Sequence, residues 1–171
     1  MDKYTTFEFS LISANDLKDV NHFTKMDVYA IVSITGDPNY EKIVKSPVSK
    51  NGNTNPSWNY FPMIFSLNES LLHENLLFLE IKLRCKRSLS CDKDISHISV
   101  PLKRLLDHDI DGKSFQLAKF QNNRETGKPK GDFVFSYRFD EKFGYRRKSS
   151  SQLDGWIKNS MVTGFIIPCA W

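Results

Sequence analysis

Hydrophobic and polar residues alternate along most of this chain with a period of two, the spacing of a β-strand that buries one face. In the first segment Phe7, Phe9 and Leu11 alternate with Glu8 and Ser10. The five clearest segments are residues 7–11, 28–34, 58–65, 77–83 and 133–139. We count about eight such strands in all.

Clusters of glycine, proline, asparagine and aspartate separate these segments, as in Gly36-Asp37-Pro38-Asn39 and Thr126-Gly127-Lys128-Pro129. Short strands divided so regularly predict an all-β fold, an eight-stranded antiparallel β-sandwich. One short helix is predicted over residues 100–107, where Leu102, Leu105 and Leu106 can pack inward.

The alternation stops after Phe139, and this change sets the predicted domain boundary. Residues 1–140 are assigned to the sandwich and residues 141–171 to a basic linker with an apolar C-terminal tail. The tail has four interpretations: an added strand, a membrane contact, a partner contact, or a loosely ordered segment resting on its own domain.

The composition predicts a folded core and a reducing compartment. The chain has 171 residues, 40% of them hydrophobic and 13 of them Phe, which argues against general disorder. Its three cysteines, Cys85, Cys91 and Cys169, lack metal-site spacing, and the N-terminus has no secretory pattern, so we expect free thiols in a reducing compartment. No apolar run approaches the ~20 residues of a membrane-spanning helix.

Motifs for catalysis are missing from the sequence. The four histidines have no ligand spacing, and there is no nucleophile elbow and no glycine-rich phosphate loop. The formal charge of +4 suits an anionic surface. Nucleic acid is not expected, because the aromatic residues alternate into the core instead of forming a stacking platform among the cations. We therefore expect a binding module and not an enzyme.

Four segments in this order resemble the C2 domain, and within it the small single-C2 plant proteins of the cold- and stress-regulated and copine-associated type. The segments are residues 9–21, Lys25-Met-Asp-Val-Tyr-Ala30, Thr54-Asn-Pro-Ser-Trp-Asn59 and residues 95–102. The resemblance covers roughly residues 4–140. It implies a sandwich whose loops at one end meet phospholipid, in many members through bound calcium.

The resemblance also gives the positions of the expected calcium ligands, and several have changed. In the first loop the two expected carboxylates correspond to Asn21, with Asp19 nearby, and to Asp27, and the last expected carboxylate is Asp92 or Asp94. The expected Asp-x-Asp of the later loop falls within Arg84-Cys85-Lys86-Arg87. Calcium prefers six to eight oxygen ligands, largely carboxylates. We therefore expect no cofactor, and at most a weak or vestigial calcium site. Asp27 has an equally weighted alternative role, accepting backbone hydrogen bonds at the start of a strand.

Basic and apolar residues on these loops are predicted to contact lipid. The resemblance also implies that the basic third strand, with Lys42 and Lys45 on or near it, binds phosphoinositide headgroups. A further basic run, Arg146-Arg147-Lys148, precedes the candidate phosphorylation sites Ser149, Ser150 and Ser151, where added phosphate would weaken membrane contact. The predicted lipid-binding residues are Lys42, Lys45, Lys50, Arg84, Lys86, Arg87 and Phe23, with Leu89 as a second insertion candidate.

These features predict two alternative functions. The first is a peripheral adaptor in stress or defence signalling, cytoplasmic at the plasma membrane or endomembrane, which binds anionic phospholipid with little or no calcium and holds a copine-like or other membrane signalling protein. The alternative is a protein-protein adaptor that does not touch membranes and uses the tail or a strand edge.

Overall fold

The computed structural model describes residues 3–109, 115–123, 129–139 and 165–169, and these form a two-sheet β-sandwich. The strands are β1 (Tyr4–Asn15), β2 (Asp27–Thr35), β3 (Ile43–Lys45), β4 (Ser57–Asn68), β5 (Phe78–Lys86), β6 (Lys93–Pro101), β7 (Gln116–Asn123), β8 (Pro129–Phe139) and β9 (Phe165–Cys169). One sheet has the strand order β4-β1-β8-β7-β9 and the other β3-β2-β5-β6. The predicted antiparallel sandwich is confirmed, because the first eight strands pair with their neighbours in antiparallel fashion.

The apolar positions of β1 and β8 point into the space between the sheets and form an aromatic core. The ring of Phe9 lies 4.9 Å from that of Phe135, and Phe7 lies 4.9 Å from Phe139. Tyr137 is buried among them, and its hydroxyl donates a 3.1 Å hydrogen bond to the Leu105 carbonyl. The buried polar group is therefore satisfied, as core stability requires.

Two short helices connect strands on one end of the sandwich. The predicted helix is α2 (Leu102–His108), which buries the three expected leucines. The other, α1 (Glu69–His73), was not predicted. Its signal is Asn68, whose side-chain oxygen accepts hydrogen bonds from the Ser70 and Leu71 backbone N–H groups as an N-cap. Within the described ranges, no helix is long and apolar enough to cross a bilayer.

Alternating strand directions bring three connections to the opposite end. These connections are residues 16–26 between β1 and β2, residues 46–56 between β3 and β4, and residues 87–92 between β5 and β6. We call these three segments the loop end, and the end with α1 and α2 the helix end. Because the strands are antiparallel, residues far apart in sequence meet at the loop end.

The backbone of β9 pairs in parallel with β7, from Ala118↔Phe165 to Asn122↔Cys169. Of the four interpretations of the tail, this arrangement corresponds to the added strand. The candidate phosphorylation sites Ser149, Ser150 and Ser151 lie outside the described residues, and the division into residues 1–140 and 141–171 stays a prediction.

Candidate functional site

A cleft of about 500 Å³ opens at the loop end, between the β1–β2 and β5–β6 connections. Three cations line it: Lys25, Lys86 and Arg87. Among the described residues of its lining, Asp27 is the sole carboxylate, and the other lining groups are neutral. We call this feature the cationic cleft. Its lining carries a net charge of +2, so its field attracts anions.

Arg87 holds the two sides of the cationic cleft together. Its Nη2 donates to the Val20 carbonyl at 3.2 Å and to Asn21 Oδ1 at 3.1 Å. Asn21 Nδ2 in turn donates to the Sγ atom of buried Cys85 at 3.4 Å. A guanidinium has five N–H donors, and Nη2 supplies two of them, so the arginine can tie the loops together and still present charge to the cleft.

The four predicted calcium ligands are not arranged around one point. Asp27 Oδ1 accepts the Asn51 backbone N–H at 2.8 Å, the loop-tying role weighed for it above. Asn21 is bonded to Arg87, and Asp94 forms a 2.8 Å salt bridge with Arg84. In the described part of the chain no three His, Cys, Asp or Glu side chains cluster to hold a metal. This donor set does not fit calcium, which needs several converging oxygens.

Asp92, the other predicted ligand, closes the β5–β6 connection instead. Its Oδ2 accepts the Tyr29 hydroxyl hydrogen bond at 2.6 Å, and its Oδ1 accepts the Arg87 backbone N–H at 3.0 Å. These hydrogen bonds, with the charges of Arg84 and Lys45, lower the pKa of Asp92 against the opposing effect of burial. Burial and the same hydrogen bond raise the pKa of Tyr29. At neutral pH Tyr29 is therefore a neutral phenol, and Asp92 is an ionised carboxylate.

Tyr29 lies on the outer face of the β3-β2-β5-β6 sheet but is only 2% exposed. The Lys45 ammonium covers its ring at 4.2 Å from the ring centroid, a cation–π contact. Sequence reasoning placed Tyr29 in a motif but gave it no role. Its signal was a large polar aromatic on the sheet face opposite the core residues Val28 and Ala30.

The structure corrects the predicted position of one lipid-binding residue, Arg84, and gives the positions of two others, Lys42 and Lys45. Arg84 was placed on the loop, but β5 continues to Lys86, so Arg84 lies in the sheet opposite Tyr29. Lys42 lies just before β3, and Lys45 is the last residue of that strand. The Lys42 ammonium turns to the other sheet, where it donates to the Ile64 carbonyl.

The remaining predicted contacts lie at the loop end. Phe23 and Leu89 are 101% and 98% exposed, on the β1–β2 and β5–β6 connections respectively. Lys50 is exposed on the β3–β4 connection and does not itself line the cationic cleft, although the next residue, Asn51, does. Lys25 was not among the predicted contacts, although it lies only two residues before β2 begins at Asp27. The loop end thus combines cations with two exposed apolar side chains.

The Tyr29–Asp92 pair gives a pH-dependent prediction for stability. Tyr29→Phe removes the hydroxyl donor, so the pKa of Asp92 should rise toward its ordinary value of 3.8. A carboxyl whose pKa is lowered by folding stabilises the fold above its unfolded pKa, and this contribution is lost as pH falls through the folded pKa. The wild type should therefore exceed Tyr29→Phe in free energy of unfolding at pH 7, with a difference that shrinks below about pH 4.

Urea unfolding from pH 7 to pH 3, with NMR titration of the Asp92 carboxyl carbon, measures both effects. Tyr40→Phe is the matched control, because the Tyr40 hydroxyl accepts the Ser66 N–H instead of meeting a carboxylate. A difference for Tyr29→Phe that is constant across the pH range would contradict this assignment.

Comparisons with known proteins agree with the fold. The family model of the C2 domain matches residues 5–117. Protein SRC2 of Glycine max is 48% identical over 139 residues, 81% of this chain and 47% of that protein. Protein SRC2 homolog of Arabidopsis thaliana is 34% identical over 144 residues, 84% of this chain and 43% of that protein. The chain therefore spans less than half the length of these relatives.

A solved structure supports the fold independently. A C2 domain of plant Extended Synaptotagmin 1 superposes with a TM-score of 0.62 at 14% identity, covering 80% of this chain and 95% of that one. At this identity the likeness is one of fold.

Proposed function

The chain belongs to the C2 domain family, and we propose that it is a non-enzymatic module that docks on anionic phospholipid membranes without calcium. C2 domains generally bind phospholipid membranes and proteins. The observation that carries the proposal is the cationic cleft, which exposed Leu89 helps to line and which shares the loop end with exposed Phe23. Cations attract the leaflet and apolar tips enter it, so one end of the sandwich supplies both parts of membrane attachment.

The charge of the cleft supports the calcium-free form of the proposal. A divalent ion placed there would meet Lys25, Lys86 and Arg87 and one carboxylate. Each such cation near a divalent ion costs on the order of 1–4 kcal/mol in a screened environment. The same cations are each worth about 1 kcal/mol when they face an anionic leaflet. The lining therefore disfavours calcium and favours lipid.

The outer sheet face beside the loop end is a second contact in this proposal. Lys45 and Arg84 both lie on it, over and beside Tyr29. Because Arg84 is also bonded to Asp94, Lys45 is the stronger lipid contact of the two. This face extends the basic surface beyond the loops.

Anionic lipid is concentrated in the cytoplasmic leaflet, so the proposal places the docked protein on the cytoplasmic side of the plasma membrane or endomembrane. The copine-like partner and the role in stress or defence signalling remain predictions of the resemblance.

Charge reversal at the loop end tests the proposal. Lys25→Glu combined with Lys86→Glu should weaken binding to phosphatidylserine vesicles by about 100-fold or more, since four units of charge change beside the leaflet. Lys3→Glu combined with Arg104→Glu makes the same charge change at the helix end, on exposed residues, and should keep binding within about threefold. Co-sedimentation is measured with calcium and with chelator, at low and physiological salt.

Wild-type binding should be equal with calcium and chelator and should weaken as salt rises. Binding that requires calcium would overturn the calcium-free mechanism. Absence of binding under every condition would overturn membrane docking altogether, and equal losses in the two double variants would overturn the assignment of the loop end.

A further inference from the structure

We infer that the cationic cleft is a binding site for a phosphomonoester, the terminal phosphate of a membrane lipid headgroup, with lysine and arginine side chains in the place of a bridging metal ion. The inference rests on the proposed membrane docking and adds the class of headgroup that the cleft selects.

The first argument is the match of charge. At neutral pH a phosphomonoester carries a charge of about −1.5 to −2, whereas the phosphodiester of phosphatidylserine carries about −1. The three cations and one carboxylate of the lining leave a charge of +2. A dianion therefore gains more from this site than a phosphodiester does, because the attraction scales with the product of the charges.

The second argument is the set of hydrogen-bond donors. Lysine ammonium groups donate to phosphate from Lys25 and Lys86, and Arg87 is already oriented by its contacts with Val20 and Asn21. Thr24, Ser88 and Ser90 also line the cleft, and each carries a hydroxyl group that can donate to phosphate. A terminal phosphate presents three oxygen acceptors and can use donors from both loops at once.

The third argument concerns the source of the phosphate. Leu89 is part of the cleft lining and is fully exposed, and Phe23 stands one residue before Thr24 of the same lining. Apolar tips at the mouth of an anion site suit a phosphate attached to a membrane, because the tips enter the leaflet while the headgroup fills the cleft. A free phosphorylated metabolite would gain nothing from them.

The test compares two vesicle compositions with the same zeta potential, one containing phosphatidic acid and the other phosphatidylserine, in the presence of chelator. Phosphatidic acid should be preferred by about tenfold, the effect of one additional charge-assisted hydrogen bond. Lys86→Gln should reduce this preference to under about threefold. Lys50→Gln is the matched control: it removes one charge from the same loop end but outside the cleft, so it should weaken binding to both lipids by about fivefold and keep their ratio.

Titration with soluble dihexanoyl phosphatidic acid, followed by NMR of backbone amides, tests the cleft without a membrane. Shifts should centre on Lys25, Arg87 and Ser88, and dihexanoyl phosphatidylserine should cause smaller ones. Equal binding to both vesicles would overturn the headgroup inference and leave membrane docking intact. If the protein binds neither type of vesicle, the proposed membrane docking is wrong. If the amides also show no shifts with soluble phosphatidic acid, the phosphate site is wrong as well. Equal effects of Lys86→Gln and Lys50→Gln on the preference would show that attraction is diffuse and overturn the site.

Discussion

Phe9→Ala is expected to lower the free energy of unfolding by about 3–5 kcal/mol, the usual cost of deleting a buried phenylalanine ring. Phe9 is 0% exposed in β1, between Met63 of β4 and Tyr137 of β8 in register. Its ring packs 4.9 Å from that of Phe135, so its removal leaves a cavity walled by other rings. Since domains of this kind are stable by about 5–15 kcal/mol, this one substitution removes a large share of the total.

Phe23→Ala is the control, because it deletes the same side chain from a fully exposed position. It should change the free energy of unfolding by no more than about 0.5 kcal/mol. Urea denaturation followed by tryptophan fluorescence measures both variants. Equal losses in the two variants, or no loss in Phe9→Ala, would show that the aromatic core does not hold the sandwich together.

The core was predictable from sequence because strand alternation is a local property. Phe7, Phe9 and Leu11 occupy every second position, and each proves fully buried. The leucines at 102, 105 and 106 likewise predicted α2, because their spacing fits one face of a helix. No knowledge of strand order was needed for either conclusion.

Contacts across the sheet were not predictable in the same way. The Tyr29–Asp92 hydrogen bond joins residues 63 positions apart, and it depends on the register of three strands. A register shift between Leu83 and Arg84 also lies in the β5–β6 pairing, where the sequence shows only a run of cations. The alternation of the sequence does not reveal that β5 continues to Lys86, so Arg84 was misplaced on the loop.

The sequence predicted the positive charge of the candidate site but not the full set of residues that line it. The resemblance predicted that the expected Asp-x-Asp falls within Arg84-Cys85-Lys86-Arg87, and two of these residues, Lys86 and Arg87, line the cleft. Lys25 was not predicted, because its place in the cleft depends on how two loops fold toward each other. Loop conformation is set by contacts such as Arg87 with Asn21, which no single segment encodes.

Phe23→Ala combined with Leu89→Ala is expected to weaken binding to anionic vesicles by about 100-fold. Burying each side chain in the interfacial region contributes about 1.5 kcal/mol, the lower end of the range for full burial, and the two together give about 3 kcal/mol. Neither side chain packs in the fold, since both are fully exposed, so the stability of the variant should equal that of the wild type. Ile43→Ala combined with Ile64→Ala is the matched control, because both residues are exposed but lie in β3 and β4, away from the loop end.

Salt separates this apolar contribution from the electrostatic one. The attraction of Lys25 and Lys86 is screened as ionic strength rises, whereas burial of apolar surface is not. At low salt both loop-end double variants, Phe23→Ala/Leu89→Ala and Lys25→Glu/Lys86→Glu, should bind weakly. At 0.5 M salt (about a 4 Å Debye length) the charge reversal should cost far less, while the loss from Phe23→Ala/Leu89→Ala persists. If the apolar variant instead binds as the wild type does at every salt concentration, the loop end attaches by charge alone and does not enter the leaflet.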